Sequence, residues 1–300
     1  MSKINYILPF YHAVSDEQLP HLRHLFLVKK IIDFKKDLDF FCSKYQPVSL
    51  EEFYNLARNG FHSLKKPVFH LSFDDGLRQC YDIILPILEA KGIPATFFIN
   101  SGFIDNKDLF FRFKASIVID KLHKRGIKNK KDQREILQLN YHQKDSFESL
   151  AKKFNIDFDV YLNQAKPYLD LIQLKDMKSR GFSIGAHSID HPEFRFLEMD
   201  ERIRQLQLSM QYICEKFDSP VKAFSFPFTD YKMTQTFFRE IKKLELSDIS
   251  FGTAGIKEDY AKMNYQRIPM ETMYSGKLTY FYQLVKSKIR AKLGINIVQR

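Results

Sequence analysis

Three hundred residues, 44% of them hydrophobic, are enough to bury a sizeable core, and a formal charge of +11 favours acidic partners. Cys42, Cys80 and Cys214 are odd in number and widely spaced, which argues against a disulfide framework and for a reducing compartment. No apolar run approaches the roughly 20 residues of a spanning helix, no cleavable leader precedes His12, and no nucleic-acid motif accompanies the charge. The expectation is a cytoplasmic protein without a nucleic-acid partner.

In chain order, residues 4–10 read as a strand with Tyr11 and His12 at its end. Residues 33–45 form an amphipathic helix, with Phe34, Leu38 and Phe41 at helical spacing. A short strand ends at Val48, and Ser49 with Glu52 three residues later makes a capping box for the next helix. Residues 68–73, closed upstream by Pro67, are a short apolar strand that runs into Asp74, Asp75 and Gly76. Residues 77–91 then read as a helix and 95–100 as a strand. This alternation predicts parallel strands in a barrel or doubly wound sheet.

Residues 103–170 break the rhythm. Helices are expected at 112–124, 146–154 and 158–165, with no convincing strand, so the segment reads as a helical insertion into one domain spanning 1–300. Seven basic residues fall between Lys121 and Arg134 against one acid, Asp132, which suits a solvated face or a lid that selects substrate. The alternation resumes with a helix at 174–180, stopped by Gly181, and a strand at 182–185. Helices at 198–217 and 231–244, strands at 221–226, 248–251 and 267–270, and a basic helix at 276–293 complete the chain.

Two adjacent carboxylates at the end of a strand repel, so they need a cation, a shared proton or full solvation. Asp-Gly is also a common turn pair. Far downstream, His187 and His191 stand at i, i+4, a spacing that puts both rings on one face of a helical turn. With Asp75 they offer an N, N, O set that leaves a position open, the arrangement of a catalytic divalent metal. Zinc suits those donors, and cobalt, nickel or iron also fit. Two surface histidines near a turn are the alternative.

Ser72 to Gly76, followed by His187, Ser188 and His191, resembles the polysaccharide deacetylases (NodB homology, carbohydrate esterase family 4). Residues 94–99, 181–185 and 224–228 are similar to further parts of that pattern, and Tyr11-His12 to its opening strand, so the likeness covers residues 4–102 and 171–270. It implies a distorted (β/α) barrel of about seven strands, TIM-barrel-like. It also implies metal-dependent removal of an N-acetyl group from an amino sugar in a polysaccharide or glycolipid precursor. Asp74 is then the general base, and Asp75, His187 and His191 hold the metal. Ser188 orients His191, and backbone donors around Phe228 help to form an oxyanion site. With no Trp, stacking on sugar would fall to Phe and Tyr.

There are departures. Ser225 stands where the family often has an arginine that orients the base, and Arg267 is the candidate substitute in space. No histidine follows His191 to serve as general acid. His12 lines the site or packs beside it. Another hydrolysed bond (O-acetyl ester, formamide, cyclic imide) or a non-catalytic glycan-binding relative is therefore the alternative function. From Thr272 onward there is no acid, while Lys277, Lys286, Lys288, Arg290, Lys292 and Arg300 are basic. With Tyr280, Phe281, Leu284, Ile289 and Leu293 as an apolar flank, the 276–300 segment packs on the barrel or associates peripherally with anionic membrane.

Overall fold

Parallel strands buried on both faces must be apolar along their length, and Ala95–Ile99 is buried at all five positions. It is one member of a parallel ring in a computed structural model that describes residues 4–62 and 64–300. Pro9–Tyr11, Leu71–Phe73, Ala95–Ile99, Ser183–Ala186, Ala223–Ser225 and Ile249–Gly252 lie side by side in that order. The last strand breaks at Arg267. Its first half, Asn264–Gln266, pairs with Ile249–Gly252, and its second, Ile268–Pro269, pairs with Pro9–Tyr11. The break lets one segment close the ring. Counting those two halves as one strand turns the eight segments of the sheet into seven. The architecture is therefore the distorted (β/α) barrel that the resemblance implies.

The strand expected at 68–73 is also interrupted, at His70. Upstream, Val68–Phe69 pairs with Tyr6–Ile7 and Gln46–Pro47 in a small separate sheet. Downstream, Leu71–Phe73 joins the ring. The buried His70 ring bridges the two parts: Nδ1 lies 2.9 Å from the Val48 carbonyl and Nε2 2.9 Å from Thr96 Oγ1. A carbonyl only accepts, so Nδ1 carries the proton and Nε2 accepts from the threonine.

Most helices fall within a few residues of their expected bounds, and the Ser49–Glu52 capping box is present. Three expectations need correction. Residues 77–91 are not one α-helix: a wide turn over Cys80–Ile84 precedes Leu85–Lys91. Pro86 lacks the N–H that would bond to Asp82, so the regular ladder cannot start there. An unforeseen helix, Lys130–Gln138, sits inside the basic run, capped by the Asn129 side chain, which accepts from Lys131 N–H. Ile136 is its one buried residue, so its apolar signal was too thin to read. The last helix ends at Lys292.

The chain between Ala95–Ile99 and Ser183–Ala186 is helical and has its own apolar cluster. Phe111–Lys124 is its centre, with Phe113, Ile117 and Val118 among nine buried residues. The seven basic residues of 121–134 are all exposed, the outcome expected for a solvated face.

Burial holds His70 down at about 4 and His21 at about 3, below the ordinary 6.5. Both imidazoles are neutral in the fold and become charged in the unfolded chain first. Their stabilisation is complete above pH 6.5 and is lost as pH falls from there towards 4. Unfolding free energies from urea titrations at pH 7.5 and pH 5 should differ by about 2 kcal/mol per buried histidine, from the two pKa values involved. His70→Gln, whose amide can donate to Val48 and accept from Thr96, should flatten that dependence. An unchanged slope would show that His70 is not buried in neutral form.

Candidate metal and catalytic site

Strand Leu71–Phe73 ends in a turn with two consecutive left-handed residues, Asp75 (φ 73°) and Gly76 (φ 63°). Aspartate tolerates that region. At Gly76 any Cβ would come within 2.9 Å of Ile99 Cγ2, so only glycine fits. The turn sends the two neighbouring carboxylates to different partners.

Asp75 meets the two histidines. Its Oδ1 lies 3.4 Å from His187 Nε2 and 3.1 Å from His191 Nε2, and all three residues are buried. The histidines do not share a helical turn, as their spacing suggested. They lie in the loop after Ser183–Ala186, where Ser188 (φ 71°) and His191 (φ 58°) are both left-handed. Ser188 Oγ accepts from the backbone N–H of His191, so it fixes the loop and not the ring. His187 Nδ1 donates to the Ser225 carbonyl at 2.8 Å, which leaves Nε2 as a lone pair aimed at Asp75. Asp75 Oδ1 finds no aligned hydrogen-bond donor. Two electron donors face each other in a buried space, a geometry that a cation satisfies. Burial works to raise the Asp75 carboxyl, and a positive charge beside it, which neutral imidazoles do not carry, would hold it low.

Asp74 meets Arg267. Nη1 donates to Oδ1 at 2.8 Å and Nη2 to Oδ2 at 2.7 Å, a bidentate fork between two buried side chains. Arg267 Nη1 also donates to Ser72 Oγ and Nη2 to Ser225 Oγ, and its guanidinium lies 4.2 Å from the Phe10 ring centre. Burial pushes the Asp74 carboxyl up, and Arg267 reverses this and brings it below the usual range. Ser225, at the position where the family often has an arginine, gives the hydroxyl that Arg267 itself bonds.

His12 follows strand Pro9–Tyr11, and its Nδ1 pairs with Glu271 Oε2. Glu271 Oε1 also accepts from the backbone N–H of His12 and of Ala13, at 2.9 Å each. Burial alone would lower the His12 imidazole, and Glu271 overrides it and pushes it up to about 9. Glu271 escaped the sequence reading. The available signal was its place just past Ile268–Pro269, at the strand end where barrel chemistry collects.

One cavity of about 430 Å³ takes in His12, Asp74, Asp75, His187 and His191, within the usual range for ligand sites. Phe228, left-handed at φ 57°, forms part of its wall, with its ring 4.7 Å from His191. The helical segment contributes Phe110, Arg112 and Leu137 to the lining, and Phe110 and Arg112 lie against the Phe228 ring. The buried Arg300 side chain donates to the Asp230 carbonyl and pairs with the carboxylates of Asp230 and Asp259. Arg267 faces away from the cavity lining, on the far side of Asp74.

The sequence model of the family described as Polysaccharide deacetylase matches residues 62–247. No curated protein matches the chain. Among solved structures, the chain is similar to Streptococcus pyogenes deacetylase PplD in complex with acetate. Identity is 17% and the TM-score 0.63, with 94% of this chain and 98% of that one covered. IcaB from Ammonifex degensii is similar at 14% identity and TM-score 0.60, covering 94% and 97%. A de-N-acetylase from Aggregatibacter actinomycetemcomitans is similar at 17% and 0.57, covering 92% and 99%. At these identities the three structures speak to the fold.

Elemental analysis of chelator-stripped protein reloaded with zinc, cobalt or nickel should find one divalent ion per chain. Asp75→Ala and His187→Ala should each abolish its uptake, and full retention in both variants would place the ion elsewhere.

Proposed function

Because the chain belongs to the polysaccharide deacetylase family, we propose that it is a divalent-metal-dependent hydrolase that removes the acetyl group from the amino nitrogen of a sugar in a polysaccharide or glycolipid precursor. The observation that carries this reading is the division of labour between adjacent acids: Asp75 faces two imidazoles and Asp74 faces an arginine.

Asp75, His187 and His191 would hold the ion. When bound there, a divalent cation polarises a carbonyl and lowers the pKa of water. Zinc fits the nitrogen and oxygen donors, and cobalt, nickel and iron share that preference. Arg267 fixes the plane of the Asp74 carboxylate and keeps it ionised. Asp74 Oδ2 accepts from both Arg267 Nη2 and Ser225 Oγ, while Oδ1 accepts from Arg267 Nη1 and keeps a lone pair, so Asp74 can take a proton there from the water that attacks the acetyl carbon. The C–O bond forms as the carbonyl π bond opens to a tetrahedral oxyanion; when the carbonyl re-forms, the C–N bond breaks, and the leaving amine needs a proton. His12 is the donor this chain offers: it lines the same cavity, and Glu271 keeps it charged. Backbone donors around Phe228 would receive the developing oxyanion. Phe26, Phe110 and Phe228 give the wall apolar rings against which a sugar face can stack.

Ser225 and the lack of a late histidine are what support the alternative of a non-catalytic relative in the sequence. Arg267 beside Asp74 and His12 beside Glu271 offset both points.

Metal-loaded protein should release acetate from N-acetylglucosamine oligomers. Asp74→Asn should keep the ion and lose about 10²–10⁴-fold in kcat, the usual worth of a general base; undiminished turnover would exclude Asp74 from that role. Glu271→Gln removes the charge that raises His12, so the acid form is lost at lower pH. The alkaline limb of the kcat/KM profile should therefore move down by about one unit or more. A limb that stays in place would point to another proton donor.

A further inference from the structure

The basic C-terminal helix, Gly276–Lys292, packs by its polar and aromatic side. Thr279, Tyr280 and Ser287 are buried there. Tyr280 Oη lies 2.6 Å from Tyr45 Oη, and Gly276 N–H donates to buried Asp37 on helix Ile31–Lys44. The opposite side is apolar and open. Leu278, Tyr282, Val285, Ile289 and Leu293 follow one another at three- and four-residue spacing, each 55–67% exposed. A helix that covers a core turns such a stripe inward; this one turns it out.

The flanks of the stripe are cationic. At 3.6 residues per turn, Lys277, Lys288 and Lys292 fall along one edge and Lys286 and Arg290 along the other. No acid lies between Thr272 and Arg300 to neutralise them. Lys257 adds to the field: burial first, then Arg290 and Lys286, hold its ammonium below the usual lysine range. Long basic side chains beside an apolar stripe can reach outward to phosphates while the stripe sinks between headgroups.

Further exposed apolar side chains follow site residues closely in the chain. Met273 and Tyr274 are 82% and 57% exposed and follow Glu271 closely in the chain. Leu27, 54% exposed, follows the cavity residue Phe26. The Lys29 ammonium donates to the Tyr274 carbonyl at 2.6 Å and ties the two loops together. Among the described residues no helix is long and apolar enough to cross a membrane, so a contact made by this face would be peripheral.

We propose that this helix face docks on an anionic phospholipid surface, with its apolar stripe in the headgroup boundary, its flanking lysines on lipid phosphates, and the cavity mouth beside the membrane. Charge complementarity selects the occupant: a cationic, acid-free face suits an anionic bilayer. Docking is independent of the deacetylase reading, because it uses no residue of the cavity.

The test is sedimentation of the full chain with vesicles of phosphatidylcholine alone or enriched in phosphatidylglycerol. Binding is expected only with the anionic lipid, and it should weaken as salt rises. Val285→Glu with Ile289→Glu should weaken it by about tenfold or more, since a carboxylate in the stripe is both desolvated and repelled. Both positions are exposed, so thermal melting and acetate release from a soluble acetylated sugar should be unchanged. Lys286→Glu with Lys288→Glu should remove the salt dependence along with the binding. No binding to anionic vesicles, or equal binding by the Val285/Ile289 variant, overturns the proposal. So does a dimer in solution that this variant dissociates, because the occupant would then be a second copy of the chain.

Discussion

Two buried carboxylates on consecutive residues cannot both be ionised unless each has its own positive partner. The rest of the site depends on that constraint. A left-handed turn at Asp75 and Gly76 separates the pair. Arg267 takes Asp74 in a bidentate fork, and two imidazoles converge on Asp75. Breaking one partner from a buried ion pair costs about 3–5 kcal/mol, so the arginine is as much a part of the fold as of the chemistry. On the proposed reading the arrangement also divides function. The carboxylate with a guanidinium beside it is oriented and held as an anion. The one with a lone pair opposite it is left needing a cation.

The barrel pays attention to polar groups where its strands break. His70 interrupts one strand and bonds to Val48 and Thr96 on its two sides. Arg267 interrupts another, and its backbone and side chain bond to Gly252, Ser72, Ser225 and Asp74. Buried polar groups with full sets of partners rigidify a core, whereas half-satisfied ones weaken it. Four non-glycine residues with positive φ, Asp75, Ser188, His191 and Phe228, lie in or beside the cavity. Such backbone persists where the surroundings over-determine it, and it is concentrated at sites that must aim side chains.

The helical segment between the third and fourth ring strands has its own core around Phe113 and Phe147 and brings Phe110 and Arg112 to the cavity. It therefore shapes one wall without supplying a metal donor or the base. The exposed basic run does not line the cavity, although it shares the helix Lys130–Gln138 with the lining residue Leu137. On the proposed reading, substrate selection and chemistry would fall to different parts of the chain, as is usual when loops and insertions decorate a barrel.

Much was legible in the residues themselves. The short apolar strand into Asp74 and Asp75, the Ser49–Glu52 cap, the histidine spacing and the alternation of strands and helices all depend on neighbours within a few positions, where local sterics and hydrogen bonding decide. Other features were out of reach. Arg267 meets Asp74 across 193 positions, and Glu271 meets His12 across 259. Both pairs exist only because the broken last strand closes the ring against the first. The histidine loop, which i, i+4 spacing suggested was helical, is held by left-handed backbone and a serine hydroxyl instead. The amphipathic pattern of the last helix was visible in its residues, but which side faces out was not. Packing of Gly276 and Tyr280 against the helix Ile31–Lys44 and its flank settled that, because periodicity defines two faces and only a neighbour can choose between them.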